Sequence, residues 1–291
     1  MRALLTAYPN IDRWLGRLVE RLGRFPEDEY VVLRDELTHA ATEAQYRRDL
    51  QLLDDHLELA AKICSRFDRL MKERSGLGAD LQQANRMLLD KLAEIRAIVG
   101  LHHLRFRGIA YEGTPDLSAT GDSTTFAVEV TRLAASPGQT VPLLAMLWTG
   151  DGSEQELADE LFSKIVAKYR QLSKASSKDG KYVIWISLGR DYFTAGRYER
   201  TLTGLRSRMS GYVSNALNRA VAKVQRQMRC QEPAYVVVCP GREEKEIVAA
   251  VGRTMTETHP SGGASGRSNG VGSGSPEGLA PLAGGMGDVP P

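Results

Sequence analysis

The spacing of apolar residues changes near Gly100, and this change separates two kinds of secondary structure. Residues 28–99 contain no proline, and Pro26 followed by acidic residues is typical of a helix start. After Gly100 the apolar residues alternate or form short runs between turn residues, which is typical of strands. The sequence therefore predicts a helical domain over 1–99 and an α/β domain over 100–252.

Two apolar seams run through the helical domain. In the first, from Leu50 to Met71, apolar residues are three and four apart along one helix, and in the second, from Leu81 to Val99, they also occupy heptad positions. A glycine-containing break at 75–78 would let two long helices pack as an antiparallel hairpin. Two interpretations stay open: a self-contained helical bundle, and a coiled-coil arm that mediates homo-oligomers or binds a partner protein.

The α/β domain begins with segments that predict an antiparallel meander of strands, namely Leu104–Tyr111, Asp116–Ala119 and Thr125–Leu133. A helix over about 154–174 follows. Two apolar, β-branched segments come next, at 181–188 and 234–239, and a helix over about 201–229 separates them. Strand–helix–strand order implies parallel crossovers. We therefore expect an α/β fold with a mixed sheet, antiparallel at its start and parallel beyond.

The overall composition narrows the class of protein. There are 38 basic and 36 acidic residues, so the net charge of +2 indicates no partner for the chain as a whole. The three cysteines lack the CxxC spacing of a zinc site or disulfide framework, which favours a reducing cytoplasm. The apolar runs are shorter than the ~20 residues of a membrane span, and the N-terminal one is too short for a signal peptide. We expect a cytoplasmic protein without membrane contact.

Other sequence features exclude familiar enzyme classes and predict a disordered tail. No HExxH, no GxxxxGKS or GxxxxGKT, no GxGxxG after a strand and no GxSxG elbow between a strand and a helix occurs in the chain. The motif basis for a zinc hydrolase, an NTPase, a dehydrogenase or a serine hydrolase is therefore missing.

Residues 253–291 are rich in glycine, proline and serine and contain almost no large apolar residue, so we expect this segment to be disordered.

Two carboxylates carry the main chemical signal of the α/β domain. Asp116 stands at the start of the second predicted strand, and Glu129 lies within the third. Antiparallel neighbours joined by a tight turn can bring both residues to one end of the sheet, where alternation places Glu129 and Thr131 on the same face. Paired carboxylates are oxygen ligands suited to Mg²⁺ or Mn²⁺, which also bind phosphate oxygens. The pair therefore suggests phosphodiester hydrolysis.

The order of these residues resembles a known family. Pro115-Asp116, a short hairpin, Glu129-Val130-Thr131 in an apolar strand, a helix and a parallel strand are similar to the PD-(D/E)XK nuclease superfamily. The resemblance implies a restriction-endonuclease-like fold in which Asp116 and Glu129 hold the metal. It also implies a catalytic role at the position two residues after the glutamate, where the family's lysine polarises the attacking water and this chain has Thr131.

Thr131 cannot supply the positive charge of a lysine. Some superfamily members take that lysine from the following helix, where this chain has Lys164 and Lys168 on one face. Other members add a glutamate from the preceding helix, which would make Glu94 a third metal ligand, with Glu112 as an alternative. An interpretation without a catalytic role also remains for each residue. Glu94 can lie on a solvated helix face, and the two lysines can be ordinary surface residues. Asp116 in turn can act as a turn cap.

Positive charge is concentrated in one segment of the otherwise balanced chain. Residues 164–229 contain fifteen basic and three acidic side chains. Such a segment beside a carboxylate pair is typical of a surface that holds a polyanion. We expect the nucleic-acid backbone to be contacted by Arg190, Arg197, Arg200, Arg206 and Arg208.

These patterns lead to one preferred function and one alternative. The preferred function is a Mg²⁺- or Mn²⁺-dependent deoxyribonuclease, with DNA favoured over RNA by resemblance to the superfamily, in bacterial defence or DNA processing. The alternative is a nuclease fold that has lost catalysis and acts as a nucleic-acid-binding or assembly subunit. Thr131 at the lysine position is the feature that supports this alternative.

Overall fold

The computed structural model describes residues 6–22, 37, 40, 44–73, 81–133, 154–175, 181–188, 206–228, 235–239 and 249–252. Its helices are α1 (Pro9–Leu22), α2 (Ala44–Ile63), α3 (Phe67–Glu73), α4 (Leu81–His103), α5 (Glu154–Ala175) and α6 (Arg206–Met228). Its strands are β1 (Arg107–Tyr111), β2 (Leu117–Gly121), β3 (Thr124–Leu133), β4 (Lys181–Leu188), β5 (Tyr235–Cys239) and β6 (Ala249–Gly252). The tail predicted over 253–291 lies outside the described residues.

The first apolar seam is buried, but two helices carry it instead of one. Leu50 and Leu57 lie on α2, Phe67 and Met71 lie on α3, and all four are buried. The continuous helix predicted from Leu50 to Met71 is therefore wrong, whereas the prediction of its apolar face is confirmed.

The break between α2 and α3 has a backbone cause. The Ser65 N–H donates to the carbonyl of Ile109 on β1 at 2.8 Å, and the Tyr111 N–H donates to the Ser65 carbonyl at 3.0 Å. Arg66 then takes a left-handed conformation with φ of 63°. Backbone hydrogen bonds to the edge of the sheet thus replace those that would continue the helix.

The sheet is mixed, as the order of the predicted elements indicated. Its strands follow the order β1-β2-β3-β4-β5-β6. The first three form an antiparallel meander, β3, β4 and β5 run parallel, and β6 returns antiparallel to β5. Strand β6 was not predicted from the sequence, because it has only four residues and lacks a strong apolar run.

The sheet has two covered faces, which the alternation of β3 defines. Phe126, Val128 and Val130 point to one face and belong to the apolar cluster that includes α1, α2, α3 and α4. Ala127, Glu129, Thr131 and Leu133 point to the other face, where Leu133 belongs to the apolar cluster of α5 and α6. We call these the α4 face and the α5 face. Helices on both sides explain why β4 is a continuous apolar run.

Helix α4 is buried on all sides in its second half. Leu88, Leu92, Ile95 and Val99 of the second seam are each 0% exposed. They pack within the chain against the other helices, and the opposite side of α4 packs on the sheet. The seam is therefore covered within this chain, and its helices share one apolar core with the sheet, while an oligomer or partner at these helices stays a prediction. Residues 1–255 form one compact unit.

No helix among the described residues has the length and apolar character needed to cross a membrane.

Candidate metal-binding and catalytic site

Asp116 is positioned by the turn between β1 and β2. The Glu112 N–H donates to the Asp116 carbonyl at 3.1 Å, which closes the turn. The Asp116 side chain is buried, and its Oδ2 accepts a hydrogen bond from the Val130 N–H of β3 at 2.9 Å. Because Leu117 is the first β2 residue paired with β3, the Asp116 carboxylate takes the place of a backbone acceptor just beyond the end of the ladder.

Glu129 lies beside Asp116 on the α5 face. Its side chain is only 1% exposed. Its neighbour in the parallel ladder is Ile184 of β4, so the carboxylate stands among apolar groups. The Lys168 Nζ of α5 lies 2.8 Å from the Glu129 Oε2 and donates a hydrogen bond to it. Helix α5 thus supplies a cation in direct contact with the carboxylate pair.

Burial and then the negative charge of Asp116 raise the pKa of Glu129 above its ordinary value, while Lys168 opposes the rise. The register of β2 and β3 places Asp116 opposite Glu129, so the two carboxyl groups are cross-strand neighbours, and their interaction adds to the rise. Two carboxylates this close repel unless a proton or a cation lies between them. The electrostatics of the site therefore favour an added positive charge.

The donor set fits a divalent cation of the hard class. Mg²⁺ and Mn²⁺ prefer carboxylate oxygens and commonly use only one or two of them from the protein, with water and phosphate as further ligands. Asp116 and Glu129 provide that number. The described residues contain no group of three or more histidine, cysteine, aspartate or glutamate side chains that could hold a metal.

The structure distinguishes Lys168 from the other candidates of the flanking helices, Lys164 and Glu94. Lys168 reaches Glu129, whereas Lys164 lies one turn earlier on α5 and is half-buried. Thr131 shares the α5 face with Glu129, as expected from strand alternation. Glu94 is buried on α4, the helix that packs on the opposite face of the sheet, and it forms no three-residue ligand group with the pair.

Glu112 belongs to a separate polar cluster next to the pair. Its carboxylate accepts hydrogen bonds from the Ser118 hydroxyl of β2 at 3.1 Å and from the Arg66 guanidinium. Arg66 comes from the break between α2 and α3, so the helical region contributes a cation near the rim of the site. Sequence reasoning missed Arg66, because the pairing of residue 65 with β1 has no local signal.

The basic segment is described in part. Arg190, Arg197 and Arg200 lie outside the described residues, and Arg206 and Arg208 lie in the first turn of α6.

Farther along α6, three basic residues line a groove against the amino-terminal half of α5: Arg219, Lys223 and Arg226. Lys223 lies 2.7 Å from Asp159, and Arg219 lies 3.0 Å from Glu154. Acidic partners thus offset part of the positive charge of this helix.

No protein-family model, curated protein or solved structure matches this chain. Inferences about its function therefore rest on the geometry and chemistry of its own residues.

Proposed function

We propose that this chain is a metal-dependent nuclease that hydrolyses DNA phosphodiester bonds. The observation that carries the proposal is the convergence of Asp116, Glu129 and Lys168 at the end of β2, with the two carboxylates as cross-strand neighbours and the ammonium 2.8 Å from Glu129. A hairpin and a helix that follows it in sequence bring these groups together, although burying them costs stability. An arrangement that costs stability in this way is typical of a functional site.

Each residue has a distinct role in this proposal. Asp116 and Glu129 would hold Mg²⁺ or Mn²⁺, which supplies Lewis-acid polarisation of phosphate and a more acidic bound water. The Val130 N–H fixes the orientation of the Asp116 carboxylate. Lys168 supplies positive charge at the place where negative charge develops on the phosphate, which Thr131 cannot do. The lysine therefore reaches the site from α5 instead of from β3.

The order of elements supports a restriction-endonuclease-like fold and membership of the PD-(D/E)XK superfamily as parts of the same proposal. A helix precedes a three-stranded meander, and a helix and a parallel strand follow it. A nucleic-acid substrate is supported by the basic segment of residues 164–229, and DNA is favoured over RNA by the resemblance to the superfamily. A cytoplasmic location and a role in bacterial defence or DNA processing complete the proposal.

The direct test is cleavage of DNA by the full-length protein. Linear duplex, supercoiled plasmid and single-stranded DNA would be incubated with the protein and Mg²⁺, Mn²⁺ or EDTA. We expect cleavage with either metal, none with EDTA, and loss of at least about 10²-fold in the D116A and E129A variants. Cleavage that survives in both variants would come from another site or a contaminant and would overturn the proposal.

The pH dependence of metal binding gives a second test. A metal ligand must be deprotonated, and the pKa of Glu129 is raised. Metal affinity should therefore fall as the pH drops through this raised pKa, at a higher pH than the ~4.3 of an ordinary glutamate. Calorimetric titration with Mn²⁺ between pH 4.5 and 8 measures this. Constant affinity down to pH 4.5 would contradict the assignment of Glu129.

An assembly or nucleic-acid-binding subunit without catalysis is the second candidate. It is favoured by Thr131 at the position of the superfamily lysine. Tight DNA binding by the wild-type protein, without cleavage in either metal, would support this candidate over the nuclease.

A further inference from the structure

The interior between α4 and the sheet contains hydrogen-bond donors that lack acceptors. Arg96 of α4 is 0% exposed, and none of its three side-chain nitrogens has a hydrogen-bond partner among the described residues. In the same part of the structure, the indole Nε1 of Trp185 and the hydroxyl of Ser187, both on β4, are also buried without a partner. A guanidinium stays charged at any pH at which the protein is folded.

These three groups lie in one layer. Trp185 and Ser187 alternate onto the α4 face of β4. The Trp185 ring touches Gly100 so closely that a Cβ there would overlap it, and Arg96 lies one turn earlier on α4. Arg132, the register partner of Ser187, forms an ion pair at 2.9 Å with Asp90, a turn and a half before Arg96. Along α4, Arg96 therefore lies between Asp90, which contacts Arg132 of β3, and Gly100, which contacts Trp185 of β4.

The chemistry of the layer is one-sided. Arginine offers five N–H donors and tryptophan one, and neither side chain accepts a hydrogen bond. A buried charge without a partner costs several kcal/mol, so such groups are normally paired with an opposite charge or with a ligand. The buried carboxylate of Glu94, two residues from Arg96, leaves α4 on nearly the opposite side of the helix. On the side of Arg96, the groups without partners among the described residues are an arginine, a tryptophan and a serine, so a partner that is negatively charged and rich in acceptor oxygens fits them.

We propose that this layer binds a phosphate group, with Arg96 as its principal ligand and the Trp185 indole N–H and Ser187 hydroxyl as further donors. A tetrahedral phosphate has enough oxygens for all three side chains, and guanidinium groups bind phosphate through two parallel hydrogen bonds. The phosphate belongs either to the free ion or to a 5′-mononucleotide. The site is on the α4 face, opposite Glu129, and does not depend on the proposed nuclease activity.

The test compares thermal unfolding in inorganic phosphate, in a 5′-deoxymononucleotide and in chloride at equal ionic strength. Binding should raise the unfolding midpoint of the wild-type protein by about 5–10 °C when the ligand concentration is ~100 times the dissociation constant. The R96M variant removes the charge without adding volume and should show no rise beyond that in chloride. R96K keeps the charge but loses the planar fork, and should bind at least about tenfold more weakly.

The matched control is K91M, on the same helix. Lys91 is also buried, but it donates to the Met71 carbonyl at 2.7 Å and so has an internal acceptor. K91M should keep the full phosphate response. A wild-type response to neither phosphate nor nucleotide overturns the proposal, as does an equal response in R96M. A response to phosphate identifies the free ion, and a response to the nucleotide alone identifies a nucleotide phosphate.

A second measurement locates the ligand. The indole N–H resonance of Trp185, assigned by its loss in W185F, should move downfield when phosphate saturates the wild-type protein. An unmoved resonance at saturation would place the phosphate elsewhere and overturn the site.

Discussion

The two faces of the sheet both bury charged groups, but only the α4 face has a buried cation, Arg96, without a hydrogen-bond partner among the described residues. On the α5 face, Glu129 contacts Lys168 and Asp116 accepts from the Val130 N–H. On the α4 face, Arg96 and Trp185 have donors without acceptors in the described part of the chain. One face therefore has an excess of close carboxylates, and the other has an excess of donors.

This difference indicates opposite ligands for the two faces. Neighbouring carboxylates favour a cation, because a cation relieves the repulsion that contributes to the raised pKa of Glu129. Unpartnered donors that cannot lose their charge favour an anion. A single sheet can thus separate a cation site from an anion site by the alternation of side chains along its strands.

Replacing Lys168 has the largest expected effect on the α5 face. K168M should reduce single-turnover DNA cleavage by about 10²-fold or more with DNA binding little changed, because its charge acts on the transition state. K164M, one turn away on the same helix, is the matched control and should stay within about threefold of wild type. Equal losses in both variants would mean that both lysines contribute only to DNA binding.

Gly100 tests how tightly α4 packs on the sheet. G100A places a Cβ inside the volume of the Trp185 ring and should lower the free energy of unfolding by about 1–3 kcal/mol. In the control G16A, the new Cβ would meet only the tip of the exposed Asp12 side chain at 3.0 Å. This helix position should gain up to about 1 kcal/mol. Urea denaturation measures both variants, and a neutral G100A would contradict the close approach.

Two buried cations on α4 sharpen the contrast between paired and unpaired groups. Lys91 donates to the Met71 carbonyl near the end of α3, so K91M should cost about 2 kcal/mol by leaving that carbonyl unsatisfied. Arg96 has no such acceptor among the described residues, so R96M should be neutral or stabilising in phosphate-free buffer. Urea denaturation at pH 7 compares them. A loss in R96M as large as that in K91M would reveal a protein partner for Arg96.

Local sequence patterns predicted the parts of the fold that depend on neighbouring residues. The strand over Lys181–Leu188 and the helix beginning at Glu154 agree with the apolar run and the acidic first turn that predicted them. The proximity of Asp116 and Glu129 followed from a tight hairpin and strand alternation. These features can be predicted from the periodic spacing of apolar residues and from the positions of turn residues alone.

Features that depend on distant contacts could not be predicted. The choice of Lys168 over Lys164 depends on the rotation of α5 relative to β3, which the helix period alone does not set. The break after Ile63 results from pairing with a strand more than 40 residues later. Arg96 lies outside the heptad seam, so the sequence alone suggests a surface residue. The spacing of apolar residues does not reveal that the sheet covers the other side of α4 and that Arg96 is buried.

His56 gives the smallest expected effect and reports on the surroundings of Arg96. Burial, and then the positive charges of Arg96 and His103, lower the pKa of His56 to about 3. The unfolded chain takes up this proton near pH 6.5, so the contribution to stability is complete above that pH and is lost as the pH falls toward 3. The slope from this one group is at most about 1.4 kcal/mol per pH unit.

Urea denaturation between pH 7 and pH 5 in phosphate-free buffer should therefore show a shallower loss of stability in H56Q than in the wild-type protein. The same comparison in phosphate connects this group to the α4 face. An anion beside Arg96 would offset the charge that disfavours protonated His56, so the difference between the two proteins should narrow. If H56Q and wild type lose stability in parallel without phosphate, His56 is not held neutral, and the positive charge assigned to its surroundings is already compensated within the protein.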